Sequence, residues 1–599
     1  MREVADKFPE ILRWVITSYS SASKLIFNGK IIPSVSGFHQ GDPLASLLFA
    51  LVLHPLILKL LELVPTLAFN GWFHDDGSQV GTKEELQQVI DLLVEEGPRL
   101  GLHLSTSLTS ANPKSQVWSP LFQTGSDDPL DRGIPKVRDL GVTFLGAPIG
   151  NPAFTRGFIA AKVEKIKEVA ALLPNIKKPH LEFVLLRSCI AIPKIMFTLR
   201  TTRASDFPDL LQSFDSVIRE ALIKILGTPL ENKQWLQAKL AVGRGGLGIR
   251  GAEDHAGAAF ASSFLSSQPL VKELLGQDDD ATPSLPRDLI ESLTTKLGEE
   301  DRATVLQGIG GEEATTTWLQ GLSQKKMSSM IDEENSTFLK RQVEAEGDVR
   351  EIARIASLGL PYAGAWLEAV PIPALGLYLQ PSEFVLSVRY RLGCQVYDRA
   401  GPCPACHRHS DAFGDHAMCC GHQGERISRH NALRDAIHDT AAAAALNPIK
   451  EGRYLLPGNN RRPADVYIAG WEAGKDAALD ITVVNPLQEA LVQEAAATPG
   501  HALQFRHNTK MAGAAAECQA QGIAFLPLVV ESLGGWDERA VHQVKKLSSA
   551  LARNSGEDEG DTWRKTITRL SILLVKGNAA LLSGRIPSSP SEFHEAGIV

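Results

Sequence analysis

Four of the seven cysteines fall within eighteen residues, at Cys403, Cys406, Cys419 and Cys420. The string CPACHRHSDAFGDHAMCCGHQGERISRH gives a Cys-x-x-Cys pair, then His416, then Cys420 four residues later. Cys-x-x-Cys on a turn presents two thiolates to one tetrahedral ion, and His416 with Cys420 can complete the set. Cys419 is an alternative to Cys420, and His407, His409, His422 and His430 are spare donors. The plain alternative is a group of unrelated buried thiols. A set closed by four protein ligands is structural rather than catalytic. A knuckle this short buries little apolar surface, so zinc would supply its folding energy. The reading is a Zn²⁺ site at Cys403, Cys406, His416 and Cys420.

At 599 residues the chain is too long for one ordinary domain and suggests about three to five. Hydrophobic residues at 44% and charged residues at 22% permit large cores and exclude wholesale disorder. The N-terminal MREVADKFPE lacks the basic-then-apolar pattern of a signal peptide. Leu44 to Val64 is long enough to span a bilayer, but His54, Pro55, Lys59 and Glu62 interrupt it. An ionised group at mid-bilayer costs about 2.5–3.5 kcal/mol, so a buried helix and no membrane partner are expected.

The net charge of −8 argues at first against a nucleic-acid partner. Its distribution reverses that. Ten Lys or Arg face three acids between Asn151 and Arg203, whereas seventeen acids face nine bases between Val271 and Arg350. Screening confines a field to about 10 Å, so the local basic surface is what phosphates would feel. The acidic block reads as a solvated face.

Patterning predicts a multidomain α+β chain. Over 1–155, helices fit Pro9–Tyr19, Pro43–Leu63 and Lys83–Arg99. Strands fit Lys24–Ile32, Leu67–Phe73, Ser78–Val80 and Gln116–Trp118. A basic helical region follows at 156–267, where Ile159, Val163, Ile166, Val169 and Leu173 share one face. A helical connector occupies 268–395 and opens with a linker at Gln268–Glu299. The Cys/His knuckle takes 396–430, an α/β segment 431–550, and a polar hinge with a last helix 551–599. No internal repeat and no heptad run appears.

Adjacent aspartates stand in Phe73-His74-Asp75-Asp76-Gly77, between LAFNGW and SQVG. Neighbouring carboxylates at a hairpin tip are costly unless a cation neutralises them, although a bare Asp-Asp-Gly is a common solvated turn. Upstream lies Ser36-Gly37-Phe38-His39-Gln40-Gly41-Asp42-Pro43-Leu44, running into SLLFALVLHPLIL. This combination resembles the palm of non-LTR retrotransposon reverse transcriptases. HQGDPLASLLFALVL looks like the family's glycine turn and helix under the templating base pair. FHDDG looks like its aromatic-x-Asp-Asp hairpin. GLHLSTSLTSANPKSQVW, with Lys114, looks like the next motif, and LGVTFLGAPIG like the primer-grip hairpin.

The resemblance implies a right-hand palm fragment with a thumb-like 156–203. Asp75 and Asp76 would be catalytic, Asp75 holding Mg²⁺ (or Mn²⁺), and Gln40, Gly41 and Lys114 would contact nucleotide and template. It also implies a further palm Asp upstream. Only 35 residues precede Ser36, and their one Asp, Asp6, sits in a helix-like VADKFPE. The expectation is a palm that performs no template-directed synthesis by itself.

Beyond the knuckle, Arg462-Pro463-Ala464-Asp465 leads the strand VYIAGW, and fourteen residues separate Asp465 from Asp480 in ALDITVV. Two carboxylates on paired strands, with Glu451 as a third, can hold Mg²⁺ near a scissile phosphate. Lys510, in LQFRHNTKMAGAAAEC, would offset the charge that develops there. Ordinary surface aspartates at strand ends are the alternative. The order polymerase, knuckle, nuclease resembles site-specific, early-branching non-LTR elements, whose restriction-like endonuclease carries Pro-Asp, a second acid and a displaced Lys. Here Ala464 is inserted between Pro and Asp, and Thr482 stands where the wider family places Lys.

The resemblance implies an RNA-directed DNA polymerase fragment with a DNA endonuclease-like domain. It implies an RNA template and a DNA target as partners, and an intracellular setting, nuclear in a eukaryote. A catalytically decayed nucleic-acid-binding protein is the competing reading.

Overall fold

The computed structural model describes residues 2–35, 37–39, 41–107, 114–119, 133–137, 140–275, 285–296, 298, 323–456, 462–472 and 474–587. The architecture is mixed α+β, with many helices and small sheets. The chain divides into two compact units, Met1–Phe158 and Ile159–Val599.

In the first unit the apolar run folds as the helix Ala45–Leu63. Its N-terminal half buries Leu48 and Leu51 against Val4 and Val15. Its C-terminal half buries Leu53, Leu56 and Leu60 against Val89 and Leu93, with Trp72 packed alongside. Each such side chain removed from water contributes about 1.5–3 kcal/mol. The helix is nevertheless apolar all round. Leu47, Leu58, Leu61 and Leu63 stay exposed, and among the described residues it is the one helix long and apolar enough to cross a membrane.

Lys83–Glu96 opens with a capping box. The Thr82 hydroxyl accepts the Glu85 N–H, and the Glu85 carboxylate accepts the Thr82 N–H at 2.7 Å. The strand expected over Lys24–Ile32 is instead a hairpin, Ser23–Phe27 with Lys30–Ser34. Asn28 and Gly29, with φ of 48° and 73°, turn it, as Asn-Gly does when both turn residues need positive φ. The hairpins Phe69–Phe73/Asp76–Val80 and Gly141–Phe144/Ala147–Gly150 are likewise separate two-stranded ribbons rather than parts of a shared sheet.

The second unit begins as a helical body. Ile159, Val163, Ile166 and Ala170 form the buried stripe of Pro152–Ala170, with Val169 only half-buried beside it. The expected linker over Gln268–Glu299 is corrected at its start. The helix Ala252–Leu275 runs through Gln268 and Pro269, and Arg287–Thr295 is helical too. One proline removes a single ladder bond, and the long-chain residues around it keep the helix. Most of the rest of that linker, 276–284 with 297 and 299, lies outside the described residues.

A four-stranded sheet dominates the C-terminal half. Its order is Ile449–Lys450, Val466–Glu472, Lys475–Val484, Ile523–Glu531. The first two pairings are antiparallel and the last is parallel, with the helix His501–Ala520 as crossover. Period-2 alternation separates the two faces. Val466, Ile468, Leu479, Ile481, Leu528 and Val530 share a core with Leu433 and Ile437 of the helix Glu425–Ala443. Val544, Leu547, Ile567, Leu570 and Leu574 complete that core, so the last helix, Glu559–Ser583, packs into the same body as the sheet. On the opposite face Ala478 and Phe525 pack with Cys518 of His501–Ala520.

Candidate metal centres

The knuckle is built by short-range backbone bonds. Gly401–Pro402 pairs with His409–Ser410, the Cys403 N–H donates to Arg408 O at 2.8 Å, and the His407 N–H donates to Cys403 O at 2.8 Å. The Asp411 carboxylate then accepts the N–H groups of Phe413, Asp415 and His416, starting the short helix Asp415–Cys419. These two pieces bring Cys403 Sγ, Cys406 Sγ, a His416 ring nitrogen and Cys420 Sγ within 4.8 Å of one another. Ligands at about 2.0–2.3 Å around a tetrahedral ion stand roughly 3.5–4 Å apart, so the cluster has the right size for zinc.

Among the described residues this is the one group of three or more His, Cys, Asp and Glu that converges so closely. Cys403 and Cys420 are buried. Burial pushes the Cys420 thiol up, but the His422 N–H and the Arg585 guanidinium hold it below its usual value. Cys419 faces elsewhere: its Sγ accepts from Asn485 Nδ2 at 3.3 Å, and burial raises its pKa. Of the two adjacent cysteines, the one in the cluster is Cys420.

The second site lies on the sheet. Asp465 immediately precedes the strand Val466–Glu472: its N–H donates to Leu479 O at 3.0 Å and its Oδ2 accepts the Ile481 N–H at 2.7 Å, which brings it to the main chain on either side of Asp480. Asp480 shares the face of Ala478, beneath His501–Ala520. From this helix Lys510 reaches the Asp480 carboxylate, its Nζ 2.8 Å from Oδ2 and 3.1 Å from Oδ1. One turn earlier, the Arg506 Nε donates to Thr482 Oγ1 at 3.2 Å. Burial raises the Asp480 pKa, Lys510 opposes that shift, and the Asp465 charge adds to it. A cation bound between the two aspartates would favour both anions.

Glu451 is placed differently from the expectation of a third ligand. Its N–H donates to Asp465 O at 2.9 Å, but its carboxylate is paired with Arg434 and Arg462. The side chain that does join the acid pair is His430, whose Nε2 lies 3.1 Å from Asp465 Oδ2. His430 and Arg434 stand four residues apart on Glu425–Ala443, hence on one face. Sequence reasoning had His430 only as a spare zinc donor. Its i, i+4 relation to Arg434 was the available signal.

The palm-like motif is only partly assembled. Asp75 and Asp76 are exposed at the hairpin tip, where His74 has a φ of 55°. The His74 ring lies 6.1 Å from Phe49, near the start of Ala45–Leu63. Gly41 has a φ of 90° in the preceding turn. Gln40 lies outside the described residues. Lys114 is exposed, its N–H donating to Ser105 Oγ at 3.1 Å. Among the described residues, no side-chain contact joins Asp75 or Asp76 to Gly41 or Lys114.

Comparison of the sequence with known protein families finds no match, and comparison with curated proteins finds no matching relative.

Proposed function

We propose that 431–550 is a metal-dependent DNA-nicking unit within a protein of non-LTR retrotransposon descent. The observation that carries this reading is the closeness of Asp465, bonded to the Ile481 N–H, to Asp480, whose carboxylate meets Lys510. These residues stand around an antiparallel strand pair, from which a crossover helix leads to a fourth, parallel strand.

The donor set suits a hard divalent cation, because both groups are carboxylates and one, half-buried, has a raised pKa. Mg²⁺ or Mn²⁺ held there would supply Lewis acidity toward a phosphate and a more acidic water. Asp465 and Asp480 would bind the ion. Lys510, released from Asp480, would offset the charge that grows on the phosphate during attack. Arg506 and Thr482 continue the polar line along the strand.

The exposed Lys177, Lys178, Lys194 and Arg200 provide a basic surface suited to a nucleic-acid backbone. Within the same reading, Asp75, Asp76, Gly41 and Lys114 are remnants or parts of an RNA-directed DNA polymerase site. Supercoiled plasmid with Mg²⁺ or Mn²⁺ tests the nuclease. The full chain should nick it, Asp480→Ala should not, and Asp476→Ala should. Asp476 sits lower on the same strand, where Tyr467 and the Gly470 N–H hold it.

A second reading, binding without cleavage, draws on the closed ion pairs. Lys510 already neutralises Asp480, and Arg434 and Arg462 already neutralise Glu451. No nicking by the parent chain with either metal would favour it.

A further inference from the structure

We propose that His430 is the positioning residue that sets the Asp465 carboxylate for cation binding, an inference that rests on the metal-dependent reading above. Its Nε2 lies 3.1 Å from Asp465 Oδ2 and 3.0 Å from the Ile481 carbonyl oxygen. Both partners are acceptors, so Nε2 carries the hydrogen and donates. Its lone pair is then absent from that nitrogen, and His430 acts through Asp465 rather than by ligating an ion with Nε2.

Asp465 Oδ2 also accepts the Ile481 N–H at 2.7 Å. Two donors on a single oxygen fix the rotation of the carboxylate. Among the described residues Oδ1 carries no such bond, so it is the oxygen left for a cation. The main chain supplies one of the two donors in any sequence that keeps the strand. The other depends on His430 alone.

The helix that presents His430 is held firmly on either side of it. Arg429 is buried and donates through Nη1 to Asn578 Oδ1 at 2.7 Å, and Leu433 is fully buried in the main core. Arg434, one turn on, holds Glu451, whose N–H in turn meets the Asp465 carbonyl. Helix and strand are therefore clamped at two points around Asp465. Groups that hydrogen-bond a metal-ligating carboxylate orient it, and losing one costs about 10–100-fold in metal affinity.

Mn²⁺ titration of the full, zinc-replete chain, with free Mn²⁺ followed by electron paramagnetic resonance, tests this. The parent should show saturable binding that disappears in Asp480→Ala. His430→Ala should bind Mn²⁺ about 10–100-fold more weakly with zinc content unchanged. His430→Gln, whose amide N–H can donate to the same oxygen, should recover most of the affinity. If His430→Ala fails to fold, His430→Phe keeps the ring and removes the donor, and should show the same weakening. Parent-like Mn²⁺ affinity in the donor-less variants would overturn the positioning role and leave the nuclease reading standing. No Asp480-dependent Mn²⁺ binding in the parent would overturn both.

Discussion

The side-chain amide of Asn485 donates to Cys419 Sγ at 3.3 Å, joining the end of the strand that carries Asp480 to the residue beside a cluster ligand. The same Nδ2 reaches the Asp415 carbonyl at 3.4 Å, and Oδ1 accepts from Ser532 Oγ at 2.9 Å. Ala417 and Met418 share a core with Leu581 and Leu582 of the last helix. The knuckle is thus seated on the sheet body rather than hanging from it. Within that seating Cys420 turns into the cluster and Cys419 turns toward Asn485.

The first prediction follows from that division of labour. The chain should bind one zinc, and Cys403→Ala with Cys406→Ala should reduce metal analysis to near zero and lower the melting temperature. Zinc in isolated finger peptides supplies about 10–16 kcal/mol of apparent folding energy, and packing on the sheet should make the loss here smaller. Cys419→Ala should keep its zinc and Cys420→Ala should not. The opposite pattern would sink the assignment.

The second concerns Lys510. Lys510→Met removes the cation that faces Asp480 while keeping much of the side chain's apolar stem. Nicking should fall about 10²–10³-fold, the usual cost of losing one group that stabilises developing charge. The Asp480 carboxyl, already pushed up by burial, should titrate still higher without its partner. Plasmid-nicking rates at saturating Mn²⁺ check the first point. Unchanged rates would remove Lys510 from the site.

Gly414 gives the third. Its φ is 87°, and a Cβ there would run into Leu582 Cδ2. Gly414→Ala should lower stability by about 1–3 kcal/mol through backbone strain and overpacking together. Urea unfolding reads this directly. A variant as stable as the parent would mean that the last helix shifts freely against the knuckle.

The Cys403, Cys406, His416 and Cys420 cluster was legible in the sequence because a closed set of donors needs residues at short spacing, and short spacing is visible. The sequence placed Cys420 ahead of Cys419, and Cys420 is the one in the cluster, while Cys419 meets Asn485, more than sixty residues away. Of the residues the sequence set in one line, Lys510 meets the Asp480 carboxylate, and Asp465 lies close by through its bond to the Ile481 N–H. Glu451 was assigned by proximity in sequence. Its carboxylate goes to Arg434 and Arg462, a pairing that depends on how a helix lies against a sheet edge. The Asn28-Gly29 turn was a local signal that the apolar run around it obscured. The linker expected from Gln268 begins later because Pro269 lies inside the helix Ala252–Leu275, where a single missing hydrogen bond is outweighed when the flanking residues favour helix.

The last prediction concerns Glu531, at the end of the strand that runs parallel to the one carrying Asp480. It is 1% exposed, and its Oε2 has no hydrogen-bond partner among the described residues. Burial pushes its pKa from 4.5 to about 8, and a hydrogen bond with Ser357 only partly opposes that. The folded chain therefore keeps this proton over a range in which the unfolded chain has released it. Its stabilising effect is complete below pH 4.5 and is lost as the pH rises toward about 8. Within that window stability should fall by up to about 1.4 kcal/mol per pH unit from this group alone. Glu531→Gln keeps the shape and cannot ionise, so it should cost some stability at acid pH and remove this slope. Urea unfolding of parent and variant from about pH 5 to about pH 9 isolates the effect, because the other titrating groups are common to both. The difference between the two curves should close, then reverse, as pH rises. Parallel curves across the whole range would mean that Glu531 ionises in the folded chain as readily as in the unfolded one.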